Sequence, residues 1–423
     1  MSQSSGAGYL ELIRSNANYR RIWIGDVASL LGDWINAIAL YVLIRELTGS
    51  PLALGLVFIT KTLPFAVASP VVGLLIDRFN RRRLMIGADL IRAVLVLGFL
   101  LVDEPGEVWV IYLLGSLQMI VSALFIPARS ASIPNITTER ELLTANALSA
   151  ATWSTLLAVG AAVGGLLTEA LGVRAVFVLD SLSYVVSALF ILRTTIPQAT
   201  DKPATGVSIL RQAWLDIVAG WRHMRARPSI GRMALAKATW AVGGGGLVYM
   251  LALLGEKLNP AAPAVGMGVL YSARGLGTGI GPVVMRKTLP QESRWPAMMG
   301  LGIVASGVGY LIIGSIPWAA ILVLLVVIAH APSGANWVAS SVLLQIRTED
   351  RFRGRVFATE WLAIALVDSL SILGASLLLD WAGVTLRTAI LVFAGIEVAC
   401  GVIWLLVVVP AEAAGLRAGR DLA

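Results

Sequence analysis

Apolar residues in this chain come in blocks of about twenty, separated by short polar and basic stretches. The blocks lie near 21–45, 53–76, 84–102, 108–127, 147–170 and 174–193, then near 231–254, 263–284, 295–314, 317–341, 356–379 and 387–409. A hydrocarbon core about 30 Å thick and a rise of about 1.5 Å per residue ask for roughly 20 apolar residues per helix. Each block therefore suffices for one crossing. A barrel strand would be half as long and would alternate, and these blocks do not. The pattern predicts an all-α polytopic membrane protein with twelve transmembrane helices in two six-helix halves. The longest polar stretch, 194–229, sets the division: an N-terminal half over 1–193, a linker over 194–230, and a C-terminal half with a short tail over 231–423. Two such halves joined by a long linker are the layout of a two-lobed secondary transporter. Within the linker, Ile209, Leu210, Ala213, Trp214, Ile217, Val218 and Trp221 recur at helical spacing opposite Arg211, Asp216 and Arg222. That predicts an amphipathic helix lying in the membrane interface.

Composition agrees. Hydrophobic residues make up 57% and charged residues 14%, against roughly 25% charged in soluble domains, which excludes a soluble fold. The net charge of +8 would suit a nucleic-acid partner, but its distribution argues against one. Twenty-five basic residues fall on the side of both termini, and only Arg45, Arg174, Lys257 and Arg387 on the other. The positive-inside rule then places both termini in the cytoplasm and the chain in the inner (plasma) membrane. Residues 1–19 hold no apolar run, so no cleavable signal peptide is expected. The lone cysteine, Cys400, leaves no internal disulfide. No G-x-S-x-G or H-E-x-x-H occurs, and His223 and His330 are too few for a metal cluster. No enzyme, metal or cofactor is expected. Gly275, Gly277, Gly279 and Gly281 alternate inside an apolar block that follows no strand, which reads as packing rather than a nucleotide loop.

Between the second and third spans the chain reads Gly73-Leu74-Leu75-Ile76-Asp77-Arg78-Phe79-Asn80-Arg81-Arg82-Arg83. This resembles the major facilitator superfamily signature G-x-L-x-D-R-x-G-R-R/K, with Asn80 where the second Gly usually stands; Asn tolerates the left-handed backbone better than most residues. Phe125-Ile126-Pro127-Ala128-Arg129-Ser130-Ala131 and Glu141-Leu142-Leu143-Thr144-Ala145-Asn146 are similar to the loop between helices 4 and 5 of the branch that holds macrolide-efflux-like and enterobactin-exporter-like proteins. Glu46-Leu47-Thr48-Gly49-Ser50 and Arg353-Gly354-Arg355-Val356-Phe357 resemble its other loops. The resemblance covers nearly the whole chain and implies the major facilitator fold and an export function. It also implies a gating loop of Gly73, Asp77, Arg78, Arg81 and Arg82, with Asp77 set against the start of helix 11. Gly160-Ala161-Ala162-Val163-Gly164-Gly165 is similar to the antiporter motif G-P-x-x-G-G, with Ala161 in place of Pro. Its Gly160, Gly164 and Gly165 also suit close helix packing. Gln118 and Ser122 stand where many proton antiporters of the family carry a basic residue.

Ionisable residues inside the spans carry the site hypothesis, because a buried charge costs roughly 2.5–3.5 kcal/mol even on an insertion scale. Asp33, Lys61, Arg274, His330, Asp368 and Glu397 all fall near mid-span. Asp26, Ser29, Asp33 and Asn36 form one helical stripe, which needs a water-filled cavity or a polar partner. Lys61, at matching depth, is a candidate partner for Asp33. Desolvation favours neutral Asp33 and a close Lys61 favours the charged form; either coupling or a static pair results. His330 fits a proton relay or a hydrogen-bonded packing role. Asp89 with Arg92, one turn apart, and Asp180 with Tyr184 read as structural edges. The expectation is a monomeric exporter that works by alternating access, exchanging a small amphipathic or hydrophobic compound (a drug, a siderophore or a similar metabolite) against protons. A lysophospholipid or other lipid-like substrate is the alternative within transport; a non-transporting receptor or membrane-embedded enzyme is the alternative outside it.

Overall fold

The computed structural model describes residues 8–198 and 209–417, except for the side chains of Leu74, Asp77, Ile209, Leu210, Leu416 and Arg417. The linker residues 199–208, with Lys202, and the tail residue Arg420 lie outside the described residues. Within them the chain is helical throughout. A short α1 (Tyr9–Ser15) leads into α2 (Ala17–Thr48), α3 (Pro51–Arg78), α4 (Arg81–Leu97), α5 (Val108–Ile136), α6 (Glu139–Leu171) and α7 (Val173–Leu192). The linker helix is α8 (Ile209–Ala226). Then follow α9 (Pro228–Leu258), α10 (Pro263–Thr288), α11 (Trp295–Ser315), α12 (Ile321–Arg347), α13 (Asp350–Asp380), α14 (Leu386–Ile403) and the terminal α15 (Val409–Arg417). Spans α2–α7 and α9–α14 match the twelve apolar blocks in order. Among the described residues, eleven spanning segments are long and apolar enough to cross a membrane. The twelfth, α10, has the length, but Arg274 and its many glycines dilute its hydropathy, and it packs among α6, α9 and α12.

The helices overrun the apolar blocks, and two apparent loops shrink as a result. Residues 128–146 read as a loop, yet α5 runs to Ile136 and α6 starts at Glu139, leaving Thr137 and Thr138 between them. Thr138 and Glu141 form a capping box, which satisfies the first amides of α6 and fixes its start. At the other end of the protein, Gly49 and Gly383 adopt positive φ of 62°, closing α2 and the turn after α13 where a side chain would be strained. Asn80 is not left-handed. Its φ is −64° and its side chain accepts from the Arg83 amide at 3.0 Å, so it serves as the N-cap of α4.

In the N-terminal half α2 packs on α6 and α7, α4 on α5 and α7, and α3 on α5; in the C-terminal half α9 packs on α10, α13 and α14, and α11 on α12 and α14. Two seams join the halves: α6 against α10, and α3 against α13. At the first, a Cβ on Gly165 would lie 2.5 Å from the Ala264 carbonyl, one on Gly268 2.5 Å from that of Ala161, and one on Gly275 2.6 Å from the Ala158 amide. Small residues let these helices touch backbone to backbone. Gly160 and Gly164 do the same inside the N-terminal half, against Trp34 and Ile35 of α2.

The two faces of the molecule differ. On the face away from the termini, one core holds residues of both halves. There Tyr41 stacks on Phe58 at 4.4 Å, Phe58 meets Tyr249 at 5.6 Å, and Tyr271 approaches both Tyr41 and Phe58. Arg45 pairs with Glu256 at 3.0 Å, and Ser50 donates to Asp380 at 2.7 Å. On the terminal face the two halves have separate cores, around Met233 and Leu343 in one and Val72 and Met85 in the other. The linker helix α8 lies across α13 and reaches α3 there. Asp216 accepts from Arg355 at 2.9 Å, His223 stacks on Phe352 at 4.1 Å, and a Cβ on Gly220 would be 2.5 Å from the Arg355 carbonyl. Its apolar stripe is divided: Ala213 is buried, while Trp214 and Trp221 stay exposed.

Candidate transport site

Three of the four positions in the polar stripe of α2 meet polar side chains of other helices, and Ser29 donates to the Asp26 carbonyl of its own helix. Asp26 pairs with Arg129 of α5, Asp33 accepts from the Tyr184 hydroxyl, and Asn36 donates to Asp180 at 2.5 Å. Arg129 was expected in a loop; the extension of α5 brings it to α2 instead. Lys61 does not pair directly with Asp33. Its ammonium donates to Gln118 Oε1 at 3.3 Å, and Gln118 Nε2 donates to Tyr184 at 2.9 Å. A single chain, Lys61 to Gln118 to Tyr184 to Asp33, thus crosses four helices. Beneath it Arg92 pairs with Asp89, approaches Ser122, and sits over the Phe125 and Tyr184 rings at 4.5 and 4.3 Å. The cation is enclosed between a carboxylate and two π-faces. Gln118 and Ser122, which stand where a basic residue was missed, therefore hold Lys61 and Arg92 in place.

The C-terminal half is arranged differently. Lys237 of α9 pairs with Glu360 of α13 at 2.9 Å, donates to Ser341 at 2.7 Å, and lies 4.7 Å from the Trp337 ring. Both charges are fully enclosed. The sequence reading missed this pair, because Glu360 lies just inside the block that begins near 356; the only signal was two opposite charges in blocks that proved adjacent. His330 hydrogen-bonds Tyr310 at 2.8 Å and is buried against α11. Glu397 is fully buried on α14 with no hydrogen-bond partner, near Ser306 and Trp240, whose polar atoms are also unpartnered. Glu397 is thereby set apart from Arg274 and Asp368, while His330, though enclosed, stays within reach of the Arg274 charge.

Arg274 of α10 and Asp368 of α13 make no ion pair or hydrogen bond among the described residues, and neither is fully enclosed. Asp33 and Lys61 share that partial accessibility. These four, two from each half, all lie near the middle of their helices, where a charge in contact with hydrocarbon is costly. In the loop after α3, Arg81 donates to the Ala131 carbonyl at 2.8 Å and Arg82 to Leu192 and Ile191, which ties α4 to the ends of α5 and α7. A Cβ on Gly73 would meet nothing within 4 Å. The side chain of Asp77 lies outside the described residues.

A family model described as Major Facilitator Superfamily matches residues 22–358. The chain belongs to the major facilitator superfamily. It is a multi-pass membrane transporter and not an enzyme. A Bacillus subtilis relative described as an uncharacterized MFS-type transporter, YfiS, is 25% identical over 391 residues, covering 89% of this chain and 90% of that protein. Macrolide efflux protein A of Streptococcus pyogenes is 30% identical over 206 residues, 45% of this chain and 50% of that protein. Among solved structures, a peptide transporter POT in complex with sulfate superposes with a TM-score of 0.74 at 12% identity, covering 93% and 94% of the two chains. An inward-facing bacterial homolog of the human lysosomal transporter Spinster gives 0.69 at 16% identity, covering 94% and 96%. At these identities the superpositions establish the fold alone.

Proposed function

We propose that this transporter is a secondary active exporter of small amphipathic or hydrophobic compounds, driven by exchange against protons. The observation that carries this reading is the layer of four accessible charges, Asp33, Lys61, Arg274 and Asp368, between halves that are sealed together on one face only. Alternating access needs such a layer beneath a closed gate, and a substrate with an apolar body and a charged group fits the mix of unpaired charges and aromatic side chains. The layer offers few neutral amides, which disfavours sugars. The similarity to macrolide efflux protein A supports the direction of transport. The basic bias of the terminal face supports an inner-membrane orientation with both termini cytoplasmic; the protein is read as a monomer divided at the linker into the two halves. Proteoliposome flux tests the reading. An imposed pH gradient should drive ethidium movement severalfold above protein-free vesicles; saturable hexose uptake, or no gradient-driven ethidium flux, would refute it.

A further inference from the structure

Resting on the proton-exchange reading above, we infer that Asp180, and not Asp33, is where the N-terminal half holds its exchangeable proton, and that a cationic substrate is the charge it is exchanged for. Apart from the closed Asp26–Arg129 pair, the described interior of this half holds three carboxylates, Asp33, Asp89 and Asp180, against two cations, Lys61 and Arg92. One negative charge is uncompensated if all five are ionised. An uncompensated charge at mid-membrane is costly, so the layer is neutral when one carboxyl holds a proton.

The geometry selects which one. Asp89 is paired with Arg92. Asp33 accepts the Tyr184 hydroxyl proton, at the end of a chain polarised from Lys61, and keeps partial access to water. Asp180 is fully enclosed and has no cation within 4 Å; the charges that reach it are Asp33 of α2, Lys61 of α3 and Arg92 of α4. Between Leu142 and Thr168, α6 carries no charge at all. Asn36 donates to Oδ2 of Asp180 at 2.5 Å. On the other oxygen the partner is Ser183, whose hydroxyl already donates to the Asp180 carbonyl at 2.7 Å and lies 3.4 Å from Oδ1. With its proton committed, Ser183 is left as an acceptor for a proton on Oδ1. Gly32 is what lets α2 close over this corner, since a Cβ there would collide with Ser183 and Asp180.

Exchange then balances without any further reagent. The Oδ1–H bond of Asp180 breaks, its proton goes to water between the halves, and the remaining carboxylate is offset by the positive charge of the entering substrate. Reprotonation after substrate release restores a neutral layer. Glu397 is the other enclosed carboxyl without a cation partner, but no cation near it would offset the charge left by losing its proton.

Infrared difference spectra of the purified protein across a pH step read protonated carboxyls without any substrate. Asp180→Asn should abolish the carboxyl band that titrates, whereas Glu397→Gln should remove a band that does not. A titrating band that survives Asp180→Asn but disappears in Asp33→Asn overturns the inference. If Asp180→Asn does not fold, Asn36→Leu removes the donor and leaves the acid; an unshifted titrating band then overturns it equally. In vesicles containing pyranine, ethidium should release protons from the wild type and not from Asp180→Asn. Equal release from both sinks the assignment and leaves proton exchange standing. No release from the wild type, with the Asp180 band still titrating, sinks proton exchange and leaves the assignment standing.

Discussion

In the N-terminal half, Lys61, Gln118, Tyr184 and Asp33 are joined in one hydrogen-bonded chain with Arg92 and Asp89 beneath it, whereas the C-terminal half keeps its charges apart. There Lys237 and Glu360 close on each other, Glu397 stands alone, and Arg274 and Asp368 have no partner among the described residues. Hydrogen bonds in a connected chain polarise one another, so a change in charge at one end is felt at the other. A closed pair transmits nothing, and unpaired charges are free for whatever enters. The difference suggests a division of labour, with ion handling in one half and charge complementarity to the substrate in the other.

The severest way to break this comparison is Lys237→Met. It strands Glu360 in the interior and should cost about 3–5 kcal/mol, while Lys237→Met with Glu360→Leu should return close to the wild type. Thermal unfolding in detergent reads both; a single variant as stable as the double would mean the pair is not closed. The matching test in the other half is Arg92→Met with and without Asp89→Asn. Because Arg92 also holds Ser122 and two rings, the double variant should recover only part of a loss of about 3 kcal/mol. Full recovery would make the two halves alike.

Smaller effects sharpen the contrast. Arg274→Gln and Asp368→Asn remove charges without partners, so each should leave the melting temperature unchanged while lowering transport of a charged amphiphile about tenfold, or about 1.4 kcal/mol. A drop in stability with intact transport would make them structural. The smallest effect belongs to the clamp between the linker and α13, outside both halves. Burial, then the Arg227 charge, holds His223 below its ordinary range, so its contribution is present above an unfolded value near 6.5 and declines as pH falls below it. The hydrogen bond from Arg351, then the Arg227 charge, holds Glu349 low, and its contribution is lost at still lower pH, as pH falls through its folded value. Hydrogen exchange in α8 should therefore rise modestly between pH 7 and pH 5, and His223→Phe should flatten that rise. Exchange that does not change with pH would show that His223 carries no load there.

Much of the fold was legible along the chain, and so was the candidate layer, but in one dimension. Run length against bilayer thickness gave the spans, and the count of residues from each end placed Asp33, Lys61, Arg274 and Asp368 at similar depth. The same count also placed His330 and Glu397 there, although they turn away into helix–helix contacts. The Asn80 backbone was misjudged because an N-cap and a left-handed turn both favour Asn. The length of α5 was missed because polar residues beyond the bilayer still form helix when the next helix is capped two residues later, as Thr138 and Glu141 do.

By itself the sequence determined the class, the order and depth of the helices, and which charges had to be explained, because a bilayer tests each stretch of chain for its own length and polarity. Only the tertiary structure decided which charges meet. Lys61 reaches Gln118 rather than Asp33, Arg129 reaches Asp26 across 103 positions, and Lys237 finds Glu360 in another helix of its half. Helical periodicity sets the direction of each side chain about its own axis, but the rotation and the neighbours of that axis come from packing. In this protein glycines such as Gly32, Gly165 and Gly268 decide how closely the axes approach.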